Sequence, residues 1–73
     1  MNYFSKNFNY LLKLKNYSVT KISKILSVSR ATIYYYLDGT MLPSIERLIK
    51  ISDIFGTDVK TIVTINMEEK NNN

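Results

Sequence analysis

Residues 18–39 read SVTKISKILSVSRATIYYYLDG, a stretch with two helix starts separated by a three-residue joint. Ser18 can accept a bond from a first-turn amide. After it, Val19, Ile22, Ile25 and Leu26 recur at helical spacing on one side, with Lys21 and Lys24 on the other. The pattern breaks at SVS and restarts from Ser29, a second cap. Ile33 and Tyr36 or Leu37 then point inward, and Gly39 suits a left-handed C-terminal stop. So short a joint makes the two helices cross steeply and lets the second project from the body of the domain.

Upstream, Phe4, Phe8, Leu11, Leu12 and the aliphatic stem of Lys15 recur three and four residues apart, which predicts a helix over residues 3–15. Downstream, Pro43 and Ser44 open a fourth helix with Ile45, Leu48, Ile51, Ser52 and Phe55 as its buried face, and Gly56 ends it. Asp58 caps a last helix through Val59 and Ile62. Residues 61–66 are rich in β-branched side chains, so they either continue that helix or leave it as a strand. The fold class that follows is all-α: a compact five-helix bundle forming one domain over residues 1–66, with a flexible polar tail over 67–73.

Composition narrows the chemistry. The chain has 73 residues, too few for more than one core, and it contains no Cys, His or Trp. Zinc fingers, Cys or His nucleophiles, Ser-His-Asp triads and disulfides are therefore excluded. Asp38, Asp53, Asp58 and the lysines form no constellation of acid, base and oxyanion donor, so no enzyme, metal site or cofactor is expected. No apolar run approaches membrane-spanning length and the first residues lack a secretory pattern, which leads to the expectation of a cytoplasmic protein. The charge is uneven. Residues 1–50 hold eight Lys and Arg against two Asp and Glu, a balance of +6, whereas residues 51–73 hold two against four, a balance of −2. A phosphate-facing surface belongs to the first two thirds.

A tight joint that lets the second helix enter a DNA major groove, about 12 Å wide, is the geometry of a helix-turn-helix in helices 2 and 3. From SVTKISKIL through PSIERLIKISDIFGTDVKTI, the chain resembles the Cro and phage-repressor type of helix-turn-helix protein, also called the xenobiotic-response-element family. Ile22 and Ser23 stand for the usual Leu-Ala of helix 2, VSRATI for the turn and recognition-helix start, and Gly39 for its stop. The resemblance implies a lambda-repressor-like fold and a regulator of transcription that binds double-stranded DNA.

It also implies site residues. The base-reading positions fall on Arg30, Ala31 and Thr32, with Tyr34 and Tyr35 one turn later. Arg30 can donate two bonds to guanine or clamp a phosphate, while Ala31 and the Thr32 methyl can touch a thymine methyl. Either tyrosine can meet the groove or cover a neighbouring helix; Tyr36 takes the inward apolar position. Phosphate candidates are Ser18, Val19 and Ser44 through helix-start amides, with Lys21, Ser29 and Thr40. Val19 stands where many relatives carry a bridging glutamine, which shifts specificity toward helix 3. Leu12 and Leu37 occupy positions where an Arg–Glu pair is common, so an apolar contact replaces an ion pair.

A domain this small is expected to act as a homodimer on a palindromic operator, using Ile54, Val59, Ile62, Val63 and Ile65 as a helix pair or a terminal strand. Repression by occupying promoter DNA is the leading reading, with Cro-like, restriction-controller and antitoxin contexts open. The alternative is a protein-binding adaptor that uses the tyrosines of helix 3 as anchors.

Overall fold

Helix boundaries in this chain follow side-chain chemistry. The computed structural model describes residues 2–71 as six helices: α1 Phe4–Lys15, α2 Val19–Leu26, α3 Arg30–Asp38, α4 Ile45–Ile54, α5 Val59–Thr64 and α6 Met67–Asn71. The first amides of a helix have no partner within it, and a short oxygen-bearing side chain supplies one. Ser18 accepts from the Lys21 amide, Ser29 from Thr32, Ser44 from Arg47 and Asp58 from Thr61. Each of these caps was expected from the sequence. Between α2 and α3, Ser27 turns the chain in the left-handed region at φ 57°, and the Val28 amide bonds back to the Ser23 carbonyl at 3.0 Å. Gly39 ends α3 at φ 80°, where a side chain would be strained.

The core is aromatic at its centre. Phe4 and Phe8 stack at 5.3 Å on successive turns of α1, and both meet the edge of Tyr36 from α3 at 6.1 and 6.2 Å. Phe55, closing α4, meets Phe8 at 6.4 Å and Tyr17 at 5.9 Å. Such edge-to-face pairs add about 0.5–1.5 kcal/mol each beyond area burial. Around them lie Leu11, Leu12, Ile22, Leu26, Ile33, Leu48, Ile51 and Ile62, with Leu37 packed against the same cluster. The only polar atom of the Tyr36 ring receives a bond from Arg47 Nη1 at 3.2 Å, so α3 and the start of α4 are tied through the core.

Asn7, fully buried, joins α1 to the C-terminal third. Its Nδ2 donates to the Ile62 and Ile65 carbonyls at 2.7 Å each, and its oxygen accepts from the Met67 amide at 3.0 Å.

Several expectations are corrected. Residues 61–66 form no strand: α5 runs to Thr64, and Ile65 after it is extended, at φ −107° and ψ 135°. The polar tail is helical as far as Asn71, capped by Asn66, whose oxygen accepts from the Glu69 amide and whose Nδ2 donates to the Glu69 carboxylate. Residues 72 and 73 of that tail lie outside the described residues. The bundle therefore has six helices where five were expected. Ile25 and Ile45, assigned inward, are exposed because each sits at the flank of its apolar stripe, beyond the reach of a neighbouring helix. Ile62, assigned to a dimer surface, has 0% exposure because α5 turns that side chain into the core. No helix of the described residues is long and apolar enough to cross a membrane.

Candidate nucleic-acid interface

The nine residues of α3 divide cleanly by helical spacing. Ile33 and Tyr36 are buried. Directly opposite, Ala31, Tyr34, Tyr35 and Asp38 follow the spacing i, i+3, i+4, i+7 and form one outward stripe, all exposed. Tyr34 keeps 57% and Tyr35 45% of its surface open, so neither ring serves as a lid over a neighbouring helix. Arg30, also exposed, flanks the stripe at its N-terminal end. Thr32 lies on the other flank, half-buried, with its Oγ1 2.9 Å from Ser29 Oγ; its methyl is thus held rather than free to turn. Of the five base-reading candidates, Ala31, Tyr34 and Tyr35 share the outward stripe, Arg30 flanks it in the open, and Thr32 lies on the opposite flank, half-buried.

That helix is held from behind. Ser5 Oγ and Asn9 Nδ2, both on α1, donate to the Leu37 carbonyl at 2.7 and 2.9 Å, satisfying an acceptor that the helix end leaves open. Next to it, Asp38 accepts from the Thr40 amide at 2.8 Å. Bonds from the Thr40 hydroxyl and then its amide hold the Asp38 carboxyl below the usual carboxylate range. The stripe is therefore polarised, with a cation at its start and an anion at its end. Anionic phosphates are compatible with the Arg30 end and disfavoured at the Asp38 end.

The phosphate candidates separate into two groups. Ser18, Ser29 and Ser44 are exposed, and each uses its hydroxyl to cap the third amide of its helix. The first two amides of α2, α3 and α4 then remain without an intrahelical partner, the arrangement that accepts an anion. Val19 supplies one of those amides while its half-buried side chain packs on the core. Lys21 is exposed, with its ammonium 4.6 Å from the centroid of the Tyr17 ring, a cation–π contact that fixes the lysine beside the start of α2. Thr40 is exposed, with its amide committed to Asp38 and its hydroxyl bonded to the same carboxyl.

Sequence reasoning missed Arg47. Its guanidinium is half-buried, bonded to Tyr36, and lines with Leu26, Ser44, Glu46 and Lys50 a shallow hollow beside the start of α4. The spacing Ser44-x-x-Arg47 shows only that Arg47 follows a cap by one turn; its partner, 11 residues upstream, is set by how α3 and α4 pack.

A capped helix, a joint of three residues and a second capped helix with an open outer face are now in place, and a helix-turn-helix family model matches residues 9–62. The chain belongs to the helix-turn-helix family. The match is of the Cro and phage-repressor type and runs from within α1 to within α5. Proteins of Saccharolobus islandicus (strain L.S.2.15) and Saccharolobus solfataricus (strain P2), each carrying the provisional name of an HTH-type transcriptional regulatory protein, are 42% identical to it over 60 residues. The alignment covers 77% of this chain and 19% of each relative, so the chain corresponds to about a fifth of their length. No solved structure matches the chain.

Proposed function

We propose that this helix-turn-helix protein is a sequence-specific binder of double-stranded DNA that regulates transcription, acting as a repressor in a homodimer on a palindromic site in the cytoplasm. The observation that carries the reading is the outer face of α3: Arg30, Ala31, Tyr34 and Tyr35 stand exposed on a helix whose opposite face is anchored in the core. Of these, only Arg30 matches a base edge through two parallel bonds, to guanine O6 and N7. Ala31 and the tyrosine rings offer apolar surface to thymine methyls. The half-site that suits this face has one G·C pair beside thymines. The capped starts of α2, α3 and α4 supply amides for backbone phosphates and set the register.

Selection of bound sites from random duplex DNA tests this, repeated with Arg30→Ala and Tyr35→Ala. Loss of Arg30 is expected to relax preference at one position and cost about 1–3 kcal/mol. A loss spread evenly over all sequences would reduce Arg30 to a phosphate clamp, and failure to retain any duplex in dilute buffer would refute the DNA reading. The exposure of Tyr34 and Tyr35 also suits a protein partner, since aromatic side chains anchor interfaces. Insensitivity of binding to salt would mark that case, because counterion release makes DNA affinity fall steeply with ionic strength.

A further inference from the structure

We propose that the outer flank of α4, centred on Ile45 and Ile49, is the surface on which a second copy of this chain docks, the two α4 helices lying antiparallel about a two-fold axis. This rests on the dimeric reading above and moves its interface. Of the five side chains assigned to a dimer surface from sequence, Ile62 is in the core, and Ile54, Val59 and Val63 are packed against it. Ile54, Val59 and Val63 are thus only partly open, and Ile65 is 36% exposed. By contrast, Ile45 is 61% and Ile49 48% exposed on a helix whose other side carries Leu48, Ile51, Ser52 and Phe55 into the core. Met41 and Leu42, exposed as well, come immediately before this helix. Ile45 and Ile49 thus open apolar surface on one flank of the helix, and exposed apolar patches on monomers are often functional.

Charge identifies the occupant. Ile45 and Ile49 are four residues apart, hence stacked on one flank, and Glu46 and Lys50 are four apart on the adjacent strip. Among the described residues neither Glu46 nor Lys50 forms an ion pair. In a two-fold interface, if residue i meets j then j meets i. One antiparallel register of two α4 helices sets Ile45 against the partner copy's Ile49 and Glu46 against its Lys50, each pair occurring twice. An apolar centre and complementary flanking charges are thus satisfied at once by a second identical helix. The patch is smaller than the roughly 800 Å² per partner of a stable complex, so the free chain is a monomer when dilute and pairs at high concentration or on DNA.

Sedimentation of the full chain over a concentration series tests this directly. Ile45→Lys with Ile49→Lys is expected to keep the helical spectrum and melting temperature, because both positions are exposed, and to weaken self-association by more than about tenfold. Glu46→Lys alone and Lys50→Glu alone should each weaken pairing several-fold, while the two together restore it; a purely structural role for either residue gives no such rescue. Undiminished pairing in the isoleucine double variant overturns the α4 surface and leaves the dimer reading standing. A wild-type chain that stays monomeric at every concentration and protects a single half-site overturns both. Pairing that is lost as expected in a chain that binds no DNA upholds the surface and refutes the DNA reading alone.

Discussion

Asn7 is fully buried, and its bonding groups are all directed at the C-terminal third: two carbonyls, at Ile62 and Ile65, and one amide, at Met67. Replacing it with a side chain of similar size and no polar atoms leaves three backbone groups without a partner. Asn7→Leu is therefore expected to cost about 2–4 kcal/mol in urea unfolding, more than the loss of one ordinary hydrogen bond. Ser52 is the opposite case. Its hydroxyl is buried without any partner, so Ser52→Ala should be neutral or stabilise the fold by up to about 1 kcal/mol. At Leu12, buried in the core, Leu12→Arg would place a charge with no counterion there. A loss of about 3 kcal/mol or more is expected, seen as a large fall in the thermal midpoint, and an unchanged midpoint would refute the apolar contact at this site.

At the scale of the helix, stability is tied to pH through the caps. The Asp58 carboxyl is held below its ordinary value of 3.8, first by the Thr61 amide at 2.8 Å, then by the Thr61 hydroxyl, with the charge of Lys60 adding to both. A carboxyl whose folded pKa is lowered stabilises the fold fully above its unfolded value and loses that contribution as pH falls through the folded one. The melting temperature should thus be flat near neutrality and fall below about pH 3.8, and Asp58→Asn, which keeps a cap but cannot titrate, should flatten part of that fall. Asp38, lowered by Thr40, adds a second contribution of the same sign. The caps also explain what could be read in the sequence. Ser18, Ser29, Ser44 and Asp58 were legible because a cap and its amide lie three residues apart, and so was the outward stripe of α3, because spacing alone sets it. Ile25 and Ile45 were misread because periodicity reports an apolar side and not how far the neighbouring helix reaches across it. The partners of Asn7 lie 55 to 60 residues away, beyond any local pattern. The sixth helix did carry a signal, Asn66-x-x-Glu69, a capping spacing overlooked beside the polar composition that follows.

Across the whole molecule, the positive charge gathers in residues 1–50, where the capped starts of α2, α3 and α4 also lie, and the negative balance falls on residues 51–73. If the first region meets duplex DNA, at least four phosphates neutralised by a dimer imply a loss of roughly a hundredfold or more in affinity between about 50 and 200 mM salt. Fluorescence anisotropy over a salt series measures this, and a slope near zero would favour the aromatic protein interface instead. The link from Asn7 to Ile62, Ile65 and Met67 has a temporal side as well. On the ribosome α1 is made before α5, and its buried amide finds its acceptors and donor only after residues 62–67 have emerged. Until then the nascent N-terminal half can be helical without being sealed. Closure of this domain thus waits on residues 62–67, and translation halted ahead of Ile62 releases a fragment with an open seam at Asn7.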